Sequence, residues 1–90
     1  MLETQQTETV HVRFFASARA AAGTDSTEIQ LPPGACVADA VHALREQQPS
    51  ALAKILAAAS FLVDGIAVRD RSRPLPAGSQ LDVLPPFAGG

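Results

Sequence analysis

From Thr9 the chain alternates, with Val10, Val12 and Phe14 set between His11, Arg13 and Phe15, the two-residue period of a half-buried strand. Ala16 to Ala22 is rich in alanine and stops at Gly23, which predicts a short helical turn ended by glycine. Alternation returns over Ser26 to Leu31, placing Ile29 and Leu31 on one face, until Pro32-Pro33-Gly34 interrupts it. From about Cys36 to Gln48 the period lengthens. Val37, Ala40, Val41 and Leu44 fall at i, i+3, i+4 and i+7, the single apolar stripe of a helix that Pro49 closes. Asp39 stands in its first turn, where a carboxylate complements the helix dipole. Each larger member of the stripe contributes roughly 1.5–3 kcal/mol when fully buried. Leu52, Ile55, Leu56 and Ala59 keep helical spacing and predict a second, minor helix over Ala51 to Ala59. Phe61-Leu62-Val63 and Ile66-Ala67-Val68 flank Asp64-Gly65, the signal of a two-residue hairpin turn. Arg69 to Pro76 reads as a charged loop, Ala77-Gly78 as a turn, and Ser79 to Leu84 as a last strand with Leu81 and Val83 on one face.

Two strands, a helix and further strands, with a short helix inserted, predict an α+β domain whose sheet wraps over one main helix. Ninety residues support one small core, and with only four aromatics, all Phe, that core must be filled by Ala, Leu and Val. The domain is expected over residues 9–84, after a polar, mobile arm at 1–8 and before an extended tail at 85–90. A net charge of -2 argues against a nucleic-acid partner. No apolar run approaches the ~20 residues of a membrane span, and the acidic opening does not resemble a signal peptide. One cysteine forms no internal disulfide framework. The expected compartment is the cytoplasm.

The tail, Pro85-Pro86-Phe87-Ala88-Gly89-Gly90, carries the candidate chemistry. Its prolines resist helix, so it should leave the last strand extended. Six extended residues reach ~20 Å at ~3.3–3.6 Å each, enough to enter a deep cleft on another protein. Gly89 and Gly90 lack a Cβ, so they can thread a narrow channel and leave the terminal carboxylate unobstructed. That carboxylate, with a reference pKa of about 3.3–3.7, is ionised at neutral pH and a poor electrophile. An acyl-adenylate formed from ATP would activate it, and a sulfur nucleophile displacing AMP would leave a thiocarboxylate. A diglycine alone also fits an idle, frayed end.

Val12-Arg13-Phe14-Phe15-Ala16 with Arg19 and Gly23, then Leu31-Pro32-Pro33-Gly34, Pro74-Leu75 with Ala77-Gly78, and Val83-Leu84-Pro85-Pro86-Phe87-Ala88-Gly89-Gly90 together resemble the small subunit of molybdopterin synthase, in the MoaD/ThiS family of sulfur carriers. The resemblance runs from Val10 onward and is most specific in the tail. It implies a ubiquitin-like β-grasp fold. It also implies that Gly90 is adenylated by a ubiquitin-activating-type adenylyltransferase, which uses the ATP, and receives sulfur from a donor as a thiocarboxylate. The tail would then enter the large synthase subunit, with Gly89 in the narrow part of the channel, and donate sulfur to precursor Z. On this reading the chain binds no cofactor and is not an enzyme by itself. The same fold and diglycine would also serve a sulfur carrier for thiamine, cysteine or tRNA thiolation, from which only the details around Leu84–Phe87 set molybdopterin apart, or a ubiquitin-like protein modifier. Two positions depart from the resemblance: Cys36 opens the helix where relatives usually have Thr, a cap that contributes ~1 kcal/mol, and Asp64 stands where they often have Asn.

Phe15 lies on the opposite strand face from Val10, Val12 and Phe14, so it is either an exposed partner anchor or a residue covered by the turn at Ala16 to Ala22. Leu84 and Phe87 share the ambiguity and, with Pro85, Pro86 and Ala88, form the expected partner contact at the tail root. Cys36 reads as a small buried side chain rather than a sulfur relay. His11 and His42 have no ligand pattern around them and read as surface or half-buried residues. Arg69, Arg71 and Arg73, interrupted by Asp70, read as a solvated loop before an electrostatic docking site.

Overall fold

The computed structural model describes residues 7–86, so most of the N-terminal arm and Phe87, Ala88, Gly89 and Gly90 lie outside it. Strand β1, Glu8–Phe14, takes in Glu8 from the end of the expected arm and leads into helix α1, Ala16–Ala22. Gly23 ends α1 in the left-handed region at φ 78, its N–H donating to the Arg19 carbonyl at 2.9 Å. Strand β2 is Ser26–Leu31, and helices α2, Val37–Gln47, and α3, Ser50–Ala58, follow. A hairpin of β3, Ser60–Val63, and β4, Ile66–Ala67, precedes the last strand, β5, Gln80–Leu84.

The strands form one mixed sheet in the order β2-β1-β5-β3-β4. Only the β1–β5 pair is parallel; the others are antiparallel. Together with the helices this is the ubiquitin-like β-grasp fold. The alternating positions Val10, Val12, Phe14, Ile29, Leu31, Phe61, Val63, Leu81 and Val83 are buried on one face of the sheet. The stripe Val37, Ala40, Val41 and Leu44 meets them, joined by Ala18 and Ala22 of α1, Leu52 and Leu56 of α3, and Leu75 from the long loop. All members of the expected helical stripe are buried, and small Ala side chains let three helices share one shallow core.

The β3–β4 turn places Asp64 at φ 49 and Gly65 at φ 84, the two left-handed residues that match a hairpin's twist. Asp64 does more than turn the chain. Its carboxylate accepts the Gln80 N–H at 2.9 Å and its own N–H donates to the Gln80 carbonyl at 2.9 Å, tying the turn to the start of β5. Asp at this position is therefore a local anchor, not a source of weakness.

Cys36 also departs from expectation. It is half-buried rather than buried, and it precedes α2 instead of forming its first residue. Asp39 supplies the cap from the other direction: its Oδ2 accepts the Cys36 N–H at 2.9 Å and the Cys36 thiol at 3.3 Å. The next two donors of the helix are satisfied from the arginine loop, Val37 N–H by the Arg73 carbonyl at 2.9 Å and Ala38 N–H by the Arg71 carbonyl at 2.8 Å. Backbone from residues 71 and 73 thus does what a Thr side chain would do, and the helix start is not left open. The loop is structural as well as solvated, because the Arg71 guanidinium lies 4.9 Å from the centre of the buried Phe61 ring. Arg69 remains exposed and Arg73 half-buried.

Two predictions follow from this packing. Leu44, fully buried at the end of the stripe, should lose about 2–5 kcal/mol on Leu44→Ala, read from urea unfolding. The Asp39 carboxyl is held below its ordinary pKa first by the Cys36 N–H, then by the Cys36 thiol. A carboxyl depressed in the folded state stabilises above its unfolded pKa of about 3.9 and ceases to do so as pH falls through the folded value. Asp39→Asn should therefore lower the melting temperature at neutral pH, with the gap from the unsubstituted chain closing as pH drops below about 3.9.

Candidate functional site: the root of the C-terminal tail

Strand β5 lies between β1 and β3, so the tail leaves from the middle of the sheet and not from an edge. Leu84 is the last strand residue, and Pro85 and Pro86, without N–H groups, stop the ladder there. Leu84 and Pro85 are half-buried and Pro86 is exposed.

The end of β1 stands beside them. Phe15 N–H donates to the Val83 carbonyl at 3.2 Å, carrying the parallel ladder one step past the Phe14–Val83 pair. Since Phe14 and Val83 point into the core, alternation turns Phe15 and Leu84 to the outer face of the sheet. Ala16 then adopts φ 52, a left-handed conformation that costs an L-residue roughly 1–2 kcal/mol. This sharp reversal leads into α1, whose Ala18 and Ala22 enter the core, and Phe15 beside it is half-buried. On the same outer face β3 places half-buried Leu62 opposite Asp82, and Ser60 opposite Leu84. Phe15, Leu62, Leu84 and Pro85 thus surround the point where the tail departs, while Phe87, Ala88, Gly89 and Gly90 lie outside the described residues.

One element of this face was not anticipated. Asp82 is buried between the two core residues Leu81 and Val83, on the side away from the core. It is sequence-distant from Arg13 but opposite it in the parallel register, and the two make a paired contact, Nε to Oδ1 at 3.0 Å and Nη2 to Oδ2 at 3.2 Å. The Asp82 hydrogen bond is the main cause holding the Arg13 guanidinium protonated above its ordinary range. A charged residue inside an apolar strand was the available signal, but its partner could not be named without the strand order. Farther along the face His11 Nδ1 lies 3.1 Å from Glu28, and on α2 His42 lies 3.3 Å from Glu46; all four are exposed. Arg13, Phe14, Phe15, Ala16, Arg19 and Asp25 line a concavity of about 370 Å³ at the β1–α1 junction.

Among the described residues no three His, Cys, Asp or Glu side chains gather as metal ligands, and no helix is long and apolar enough to cross a membrane. What the arrangement offers is a small domain and a half-buried apolar patch from which Pro85 and Pro86 lead away.

Such a β-grasp domain with a tail at its central strand belongs to the class of ubiquitin-like carrier proteins. The ThiS family model matches residues 12–90, and the chain belongs to the ThiS family. Its members are small carriers that are not themselves catalysts, so the chain is a sulfur carrier of the ThiS/MoaD type or a related modifier. None of the curated proteins matches it in sequence. Among solved structures, a protein assigned as molybdopterin converting factor subunit 1 from Pyrococcus furiosus is 27% identical, with a TM-score of 0.75 over 89% of this chain and 99% of that one. Small archaeal modifier protein 1 from Haloferax volcanii is 24% identical, with a TM-score of 0.80 over 91% and 99%. Subunit 1 of the molybdopterin-converting factor from Helicobacter pylori, solved in complex with subunit 2, gives 22%, 0.66, and 91% and 99%. At these lower identities the last two speak for the fold.

The Arg13–Asp82 pair predicts an asymmetry in stability. Arg13→Ala strands a buried carboxylate and should destabilise the domain more than Asp82→Ala, which leaves a half-exposed guanidinium that water can solvate. Urea unfolding of the two variants measures the difference.

Proposed function

We propose that this chain carries sulfur as a thiocarboxylate on Gly90 and delivers it to precursor Z in molybdopterin synthesis. The carboxylate of Gly90 attacks ATP on a ubiquitin-activating-type adenylyltransferase, pyrophosphate leaves, and an acyl-adenylate forms. A sulfur donor at the sulfide level then attacks the acyl carbon, the bond to AMP breaks, and the thiocarboxylate remains. The catalytic groups belong to the partner enzymes; this chain supplies the handle and the surface by which it is recognised. Gly89 passes the narrow part of the partner's channel, and Phe15, Leu84, Pro85, Pro86, Phe87 and Ala88 make the docking contact around it.

The observation that carries this reading is the position of the tail root. A chain end rising from the centre of a rigid sheet, beside half-buried Phe15, Leu62 and Leu84, can be docked and threaded in a single approach. The family match that continues through residue 90 supports using the end of the chain. The Pyrococcus furiosus relative, by its assignment as a converting-factor subunit, favours molybdopterin over other sulfur acceptors, and the two-subunit Helicobacter pylori complex suggests the kind of large partner involved.

The test is the intact mass of the chain after incubation with the adenylyltransferase, ATP and a sulfur donor. The expected result is a gain equal to exchange of one oxygen for one sulfur, absent when Gly90 is deleted. Loading followed by sulfur transfer to precursor Z with a large synthase subunit would establish the acceptor. Loading with transfer only to a thiazole or cysteine synthase would move the chain to another pathway. Covalent adducts on lysines of other proteins, without loading, would make it a modifier. A chain ending at Pro86 keeps every described element, so it should melt within a few degrees of the full chain while losing all loading.

A further inference from the structure

Arg13 stands at the middle of the sheet's outer face, two residues before Phe15 on the same strand edge of the patch. Its guanidinium is gripped on one side. Nε and Nη2 reach the two Asp82 oxygens at 3.0 and 3.2 Å, and with the Gln80 amide oxygen turned toward them the same nitrogens also donate at 3.3 and 3.1 Å. A two-point contact of this kind fixes the plane of the guanidinium as well as its place. The Phe15 ring lies on the other side, its centre 5.2 Å from the guanidinium carbon, within cation–π range. The Asp82 side chain is 5% exposed and the Arg13 side chain 49%, so the grip is internal while the held cation reaches the surface.

Stability alone does not call for this pair. Apolar residues of similar volume commonly replace a buried ion pair with no loss, and sometimes with a gain. What a planar, gripped cation adds is orientation of the ring beside it. Lysine would keep the charge but neither the fork nor the flat face.

We propose that Arg13, clamped by Asp82 and Gln80, is a positioning residue that presents the Phe15 ring in one orientation to the enzyme that handles the tail. The inference rests on the reading of Phe15 as a docking contact. A ring ordered before docking loses less conformational freedom on contact, so the clamp acts on affinity and leaves the chemistry at Gly90 untouched. The sequence encodes it in two pieces 69 positions apart, joined only by the β1–β5 register.

The experiment compares the full chain with Arg13→Lys, Phe15→Ala and the double substitution Arg13→Leu with Asp82→Leu. Ring order at Phe15 is read by carbon-13 relaxation in the isolated chain. Docking is read as KM and kcat of the carrier in adenylation by the ubiquitin-activating-type adenylyltransferase. The double-leucine chain should melt at or above the unsubstituted temperature, lose Phe15 ring order, and show KM raised roughly three- to fivefold with kcat unchanged. Arg13→Lys should shift both readouts the same way despite its retained charge. In a Phe15→Ala background the changes at 13 and 82 should no longer alter KM. A double-leucine chain whose ring stays as ordered as before, or whose KM is unchanged while Phe15→Ala raises it, overturns the clamp. If Phe15→Ala itself leaves KM unchanged, the docking reading fails, and the clamp's part in docking falls with it whatever the relaxation data show.

Discussion

The parallel ladder between β1 and β5 brings the first and last strands of the domain together at the centre of the sheet. Hydrogen bonds on both sides of β5 fix its register twice, against β1 and against β3. A one-residue slip would turn Leu81 and Val83 out of the core and push Asp82 into it, a change that hydrophobic burial and charge desolvation both forbid. The direction and height at which the tail leaves the domain are therefore set by the core itself. The same ladder places Phe15 beside Leu84 and Arg13 beside Asp82.

The core that enforces this register is made largely of small side chains. Ala18, Ala22 and Ala40 let α1 and α2 approach the sheet closely, α3 packs against both of these helices, and leucines from α2 and α3 fill the spaces between. Such a core depends on well-ended helices, and the long loop supplies the ends. Carbonyls of Arg71 and Arg73 close the start of α2, Arg71 covers Phe61, and Leu75 enters the core. Loop 69–76 is thus a brace across the sheet and α2.

Function in this architecture is a division of labour. In the proposed role activation and transfer fall to partner enzymes, while the domain itself supplies a sheet from whose central strand Pro85 and Pro86 lead away. Four carboxylates of the described residues are engaged by specific partners: Asp39 by Cys36, Asp70 by Ser72, Asp64 by Gln80, and Asp82 by Arg13.

Local periodicity and turn chemistry determined the elements of this protein. The alternation of Val10, Val12 and Phe14, the stripe Val37-Ala40-Val41-Leu44, the stop at Gly23 and the turn at Asp64-Gly65 each act within a few residues, so each was legible in the chain alone. Strand order decided the rest. Whether Phe15 is covered depends on the reversal at Ala16; the cap of α2 depends on carbonyls more than 30 residues away; and Asp82 finds Arg13 only when β5 lies parallel to β1. These contacts join residues whose separation along the chain carries no period, and only the folded sheet brings them within hydrogen-bond range.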